Sequence, residues 1–243
     1  MSSVIASERV PSEFGPLSRT WSLAAHELRT PVSVISGYLR MLLQDQAGPL
    51  TEQQRRILEG AASSCTRIAM LLAEMSELEK FESGDVVVPD TPVDLASLVA
   101  DVSGRLHEGD DRGVRLEVRT ASPVTVQGDP VRLTAALHVL VLAALRAHSG
   151  PGVVVVECGA APDTAPGWAI VTIGDEAIDR AALSAVHAAQ APFDEWPGGL
   201  GLGLSVARRV IEAHGGSVWS TPPGARPAGS AFRLPLTTQR MIM

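Results

Sequence analysis

The stretch AAHELRTP, residues 24–31, sets a histidine beside a glutamate, places a threonine one helical turn further on and closes with a proline. An imidazole nitrogen on the solvent side of a helix can attack phosphorus and carry a phosphoryl group, a form of nucleophilic catalysis. Glu27 can accept the hydrogen bond or proton that makes the His26 ring the better nucleophile. Thr30 is one turn from both and can position a water for the reverse, hydrolytic reaction. Pro31 removes a helical hydrogen bond to the Glu27 carbonyl and predicts a kink just past the site. A zinc helix would need a second histidine where Thr30 stands, so this is not that metal motif. Alone, the pattern reads first as a solvated surface histidine, and its context reverses that reading.

A second chemical stretch is GGLGLGLSVARRVIEAHGG, residues 198–216. Gly199, Gly201 and Gly203 alternate with leucines directly before a helix, where backbone amides and the helix N-terminus can hold phosphates. The alternative is packing: Leu200, Leu202 and Leu204 can simply cover a sheet. Of the other histidines, His107, His138, His148, His187 and His214 read as structural or solvated. His214 sits at a helix end before Gly215, where the dipole suits it.

The elements that must position these residues fall into two halves with different periodicity. Over 17–83 the pattern is helical, and Trp21, Ala25, Leu28, Val32, Ile35, Leu39 and Leu42 form a seam at alternating spacings of four and three. Ala47-Gly48-Pro49 stops that helix, and Thr51 with Gln54 makes a capping box for a second, whose seam is Ile57, Ala61, Cys65, Ile68, Leu72 and Met75. A hairpin with a seam on each arm pairs most economically with its own copy, as a four-helix bundle. After Gly84 the pattern predicts a short strand and turn, a helix over 93–107, and GVRLEVRT with VTVQG as paired strands. A long helix follows at 129–147, then strands at 153–158, 168–173 and 230–235 with a helix over 202–213. The expected fold is α+β: a helical hairpin followed by an α/β two-layer sandwich with a mostly antiparallel sheet. The boundaries read as a lead at 1–16, a hairpin domain at 17–84 and a sandwich domain at 90–237.

Composition narrows the partners. A net charge of -7 without a dense Lys/Arg cluster gives no footprint for nucleic acid or anionic lipid. The longest apolar stretch, residues 137–145 with His138 inside it, is too short to span a bilayer, and the N-terminus lacks a signal-peptide pattern. A cytoplasmic location is the expectation. Cys65 and Cys158 fit no metal spacing and read as buried free thiols.

Hairpin, histidine stretch and glycine stretch, in this order over about residues 15–237, resemble the catalytic core of a bacterial two-component histidine kinase. The resemblance implies a dimerisation and histidine phosphotransfer domain, then an ATP-binding domain of the Bergerat type. It implies His26 as phospho-acceptor, Glu27 as its acid/base neighbour and Thr30 as the phosphatase-assisting residue. APFDEW at 191–196 matches the family's Phe-containing box before a lid, here only five residues long. ATP and Mg²⁺ are the implied cofactors, with Gly199, Gly201, Gly203 and Arg146 at the phosphates, and a response regulator's receiver domain is the implied partner.

The sequence departs from the family where ATP should bind. Asp129, Pro130, Arg132 and Leu133 fix the register of the family's Asn box, and its two asparagine positions fall on Val139 and Ala143, which offer no oxygen to a metal. The box whose aspartate reads adenine puts Ile173 at that aspartate, with Asp175 and Ala177 at its glycines; shifted to make Asp175 the ligand, it leaves Ala177 and Asp179 there. The expectation is therefore a homodimer that carries phosphate on His26 to or from a regulator's aspartate. Its own ATP site is impaired, and an upstream kinase or phosphorylated receiver does the loading. Two alternatives stand beside it: a working ATP-dependent sensor kinase with a divergent site, and a dimeric scaffold that binds a kinase or regulator without covalent chemistry.

Overall fold

The computed structural model describes residues 15–120, 122–148, 150–161, 167–178, 193, 195, 201–222 and 224–237, with side chains from Leu23 onward. It divides into two compact units, Met1–Lys80 and Phe81–Met243. The second unit begins inside the last turn of a helix, a few residues before the glycine at which the sequence pattern changes.

In the first unit α1, Gly15–Leu43, and α2, Glu52–Ser83, form the expected hairpin. The capping box at the start of α2 is made: the Gln54 amide N–H donates to Thr51 Oγ1 (3.3 Å), and the Thr51 N–H donates to Gln54 Oε1 (2.9 Å). Between the arms, Gly48 supplies a positive φ of 109°, and the Arg55 guanidinium holds both oxygens of Asp45 and the Leu43 carbonyl, each at 3.0 Å. The seam is narrower than the sequence pattern. Ala25, Val32 and Leu39 are buried on α1, and Cys65 and Leu72 on α2, whereas Leu28 (52% exposed), Ile35 (48%), Ile57 and Ile68 remain open. Against the other arm each helix here buries one position per heptad, and the periodic pattern counts both. Trp21 lies outside the described side chains.

The second unit comprises β1 (Pro92–Asp94), α3 (Leu95–Ser103), a 3-10 turn (Asp110–Arg112), β2 (Val114–Thr120), β3 (Thr125–Gln127), α4 (Pro130–Ala147), β4 (Gly152–Ala161), β5 (Trp168–Asp175), α5 (Gly203–Ala213), β6 (Ser217–Ser220) and β7 (Gly229–Pro235). The main sheet has the order β2-β4-β5-β7-β6, parallel only between β2 and β4. β2 and β3, expected to pair with each other, do not; β3 pairs antiparallel with β1 in a small separate sheet. The three helices pack against one sheet face in a two-layer arrangement, with Leu137, Leu140, Val141, Val154, Val156, Val171, Ile211 and Leu234 among the core residues. α4 is long and apolar enough to cross a membrane, which the sequence reading missed by counting uninterrupted runs; its apolar stripe is core, with Leu133, Ala136 and Leu145 also buried.

Both ends of α4 are fixed. At its start the Asp129 carboxylate accepts from the N–H groups of Val131 (2.9 Å) and Arg132 (3.1 Å). Burial works against the charge on Asp129, but those donors and the Arg132 guanidinium outweigh it and lower its pKa. At the other end the Arg112 guanidinium donates to the carbonyls of Leu145 and His148, each at 3.2 Å.

Of the two readings open to His214, structural or solvated, the structure gives the first. It is buried, its Nδ1 is 2.7 Å from the Val210 carbonyl, and its Nε2 accepts from the Asp129 N–H at 2.9 Å. A carbonyl only accepts and an amide N–H only donates, so these partners fix the neutral ring with its proton on Nδ1. Gly128 leaves the room: a Cβ there would collide with the ring. Burial lowers the His214 pKa below the ordinary value. A folded state that holds His214 neutral binds fewer protons than the unfolded chain, so the contribution is full above about pH 6.5 and is lost as pH falls. Chemical denaturation at stepped pH should show stability falling below that point. His214→Leu should lose about 1–3 kcal/mol at neutral pH, because it strands the Asp129 N–H, and should flatten the acid limb.

Candidate phosphotransfer site and domain cavity

Seam residue Ala25 faces α2, and the next residue, His26, therefore projects outward, with its side chain 73% exposed. Glu27 and Thr30 are exposed beside it. The Glu27 Oε1 lies 3.8 Å from His26 Nδ1. A carboxylate on the Nδ1 side favours the tautomer protonated there and leaves Nε2 with the free lone pair. One turn on, the Arg29 guanidinium crosses to Ser76 Oγ on α2 (2.9 Å), and that hydroxyl donates to the Leu72 carbonyl (3.0 Å). Ser33 Oγ donates to the Arg29 carbonyl (2.8 Å), within the turn that Pro31 interrupts. The sequence reading missed this cross-brace, because neither Arg29 nor Ser76 occupies a seam position.

The second unit holds a cavity lined by Leu140, Ala143 and Ala144 of α4, Leu204 of α5, Phe193, Ser220 and Thr221 at the end of β6, Gly229 and Ser230 at the start of β7, and Asp175. Asp175 ends β5. Its N–H donates to the Ala228 carbonyl (3.0 Å), and its Oδ2 accepts from the Ala228 N–H (2.9 Å). Gly174 permits this approach, since a Cβ there would come within 2.7 Å of the Ala228 oxygen. The His148 Nε2 stands 3.6 Å from the other oxygen, Oδ1.

The structure separates the two registers of the adenine box. On β5 the core face carries Ala169, Val171 and Ile173, all 0% exposed, and by the two-residue period Asp175 falls on the same side just beyond the core, where the face opens into the cavity. Ile173 is a core residue and does not line the cavity, and Asp175 does. Ala143 lines the cavity, while Val139 is half-buried against the core. Arg146, assigned to phosphate, donates to Glu108 (3.3 Å) and is not a lining residue. Gly201 has a φ of 63° and Gly203 is the buried first residue of α5; Gly199 lies outside the described residues. Of the APFDEW stretch, Phe193 reaches the cavity and Glu195 pairs with Arg208 of α5. Both cysteines are buried free thiols, and burial pushes Cys158 up to about 12.

A carboxylate at one end of an apolar cavity suits a flat apolar group that bears an N–H donor. A magnesium ion takes oxygen ligands, and α4 offers none at Val139 or Ala143. Among the described residues, the Asp175 carboxylate fits the N–H of a base, and the two α4 positions offer a metal no side-chain oxygen.

Comparison with known proteins identifies both units. Residues 17–84 match the His Kinase A phospho-acceptor domain, and residues 128–239 match the ATPase domain shared by histidine kinases, DNA gyrase B and HSP90. The chain belongs to the histidine kinase family, as the two domains in this order establish. It is 32% identical over 221 residues to the probable sensor histidine kinase TcrY of Mycobacterium tuberculosis, covering 88% of this chain and 44% of that protein. It is 28% identical over 244 residues to the sensor protein GacS of Pseudomonas syringae, covering 95% and 26%. The chain thus spans less than half the length of these curated relatives. Among solved structures, full-length ShkA in complex with AMPPNP superposes with a TM-score of 0.70 at 22% identity, covering 91% of this chain and 46% of that one. The Acinetobacter baumannii histidine kinase AdeS gives 0.56 at 20%, covering 88% and 98%. These likenesses establish the fold: a helical hairpin followed by an α/β ATPase-type domain.

Proposed function

We propose that this member of the family is a cytoplasmic homodimer that carries a phosphoryl group on His26 and exchanges it with an aspartate of a response regulator's receiver domain, with loading from its own ATP site impaired at the metal position. The observation that carries this reading is the exposed His26 ring with Glu27 on its Nδ1 side. In the receiving direction the Nε2 lone pair attacks phosphorus, the bond from phosphorus to the aspartyl oxygen breaks, and the aspartate leaves as a carboxylate. The Nδ1 proton of the phosphorylated ring can pass to Glu27. Transfer to the regulator is the reverse. Thr30 is placed to orient a water for hydrolysis of the regulator's phosphoaspartate.

Two further features support the partners. Leu28 and Ile35 on α1, with Ile57 and Ile68 on α2, continue each arm's seam on a face the hairpin leaves open, which suits a second copy of the chain. Past the histidine, exposed Val34, Tyr38 and Met41 follow at spacings of four and three, an apolar stripe separate from that seam and suited to a receiver domain. Ser33 and Arg40 are exposed beside the stripe, and Ser36 and Gly37 are half-buried.

One observation favours the reading as a working kinase: Asp175 does line the cavity, so the base contact that one register had cancelled is available. The ShkA structure contains AMPPNP, which makes an adenine nucleotide the ligand class to test here. The metal position separates the readings, because Ala143 and Val139 supply no ligand oxygen.

Three outcomes are expected. Mixed with a phosphorylated receiver domain, wild-type protein becomes labelled on His26, and His26→Ala takes up no label; undiminished relay by His26→Ala would establish the scaffold reading instead. Ile35→Glu with Ile68→Glu converts the dimer to monomer in sedimentation. Calorimetric titration with ATP gives an affinity indifferent to Mg²⁺ against EDTA, and Ala143→Asn makes it metal-dependent. Micromolar, Mg²⁺-dependent binding by the wild type would instead support the working kinase.

A further inference from the structure

Phe193 is the one aromatic side chain among the described residues that line the cavity, and it packs against the main core as well. Ring contacts depend on distance and orientation, so an aromatic wall serves a flat ligand only where something holds it in place. Phe193 lies in neither a helix nor a strand, and the hydrogen bonds of a regular element do not fix it. Besides its packing, its position depends on what its neighbours in the chain hold.

Glu195, two residues on, binds the Arg208 guanidinium of α5 through Nη1. Two residues of chain reach at most about 7 Å, so this ion pair confines the Phe193 backbone as well. Arg208 is itself held, since its Nε donates to Glu212 Oε1 at 2.7 Å. A guanidinium presents its donors in a fixed fork, and here two arms of that fork join two carboxylates. Leu204, Arg208 and Glu212 follow at intervals of four along one side of α5, and Leu204 lines the cavity. The helix that supplies one wall therefore also carries the tether of the aromatic wall, while Arg208 itself lies outside the lining. With side-chain exposures of 42% for Arg208 and 22% for Glu195, the pair adds little to stability; what it adds is position.

We infer that Arg208 is a positioning residue for base recognition: through Glu195 it sets Phe193 as the aromatic wall of the cavity, and it tightens the binding of a planar base without touching it. This inference rests on the reading of the cavity as the site of an adenine base. It concerns the wall formed by Phe193 and does not involve the Asp175 carboxylate, so the two contacts can be lost separately.

Adenosine, which carries the base and no phosphate, is the probe. In NMR titrations of the full chain, Arg208→Gln and Glu195→Gln should each raise the dissociation constant about threefold, the scale of a part-exposed ion pair. Glu195→Gln leaves the Arg208–Glu212 pair on α5 intact, so agreement between the two variants assigns the effect to the tether rather than to the helix. Phe193→Leu should weaken binding by about fivefold, the scale of a lost ring contact. Adding Arg208→Gln to it should weaken binding no further, because the wall that Arg208 positions is gone. Wild-type affinity in either of the two tether variants overturns the inference and leaves the base site standing, as does an Arg208→Gln effect that persists undiminished beside Phe193→Leu. Failure of wild-type protein to bind adenosine overturns the base site and the inference together.

Discussion

The second unit depends on a helix held at both ends. α4 buries an apolar stripe in the core, and burial alone would let it slide or turn about its axis, since apolar contact is not directional. The polar contacts at its ends remove that freedom. Asp129 caps the first turn while its own N–H is fixed by the neutral ring of His214, and Arg112 closes the last carbonyls. With α4 so placed, Ala143 and Ala144 face the cavity, and the ring of His148, the residue immediately after the helix, reaches Asp175 at the end of β5. Both bridges come from distant parts of the chain, so the helix that forms one wall of the cavity also ties α5 and the 110–112 turn to the sheet.

The hairpin works by a different constraint. Each arm buries one residue in seven against the other, which is little apolar contact for helices of this length, and directional contacts supplement it. Arg55 pins the turn and Arg29 braces the arms next to the histidine. The brace matters for the chemistry because Pro31 weakens the helix at that point by removing a backbone hydrogen bond. A nucleophile that must meet an external partner has to be exposed, and an exposed side chain can be placed accurately only by the backbone beneath it. Ala25, at 1% exposure, anchors that backbone, and its small side chain lets the arms approach closely beside His26.

What the sequence disclosed, and what it withheld, follows from the range of each signal. Helices, caps and the hairpin were legible because their determinants lie within a turn or two: Thr51 with Gln54, and Asp129 before Pro130. Strand pairing was not, because β3 joins β1 across α3 and β2, and a local alternation carries no information about its partner. The full seam was read from one pattern that serves two surfaces, so Leu28 and Ile35 were placed beside Val32 although only Val32 meets the other arm. The role of His214 was hidden because a helix-end histidine and a buried bridging histidine share the same local sequence. The Asp175 register was partly recoverable, since Ala169, Val171 and Ile173 already alternate as an inward face. What the period could not tell was that the core ends before Asp175.

That last point changes the chemistry assigned to the cavity. If Ile173 stood at the ligand position, the metal, the base contact and the polar wall would all be absent, and the cavity would be an apolar void with no reason to keep any polar group at its mouth. With Asp175 lining the cavity instead, the cavity keeps a carboxylate fixed by the Ala228 N–H, while Val139 and Ala143 of α4 supply no side-chain oxygen. A half-buried carboxylate is costly to keep charged unless its oxygens have partners. Here both oxygens have partners within the protein, so the group can persist structurally. The Ala228 contact also holds it against the cavity. A lining carboxylate, beside two α4 positions that lack a side-chain oxygen, is the physical ground for testing base binding separately from metal-dependent loading in this chain.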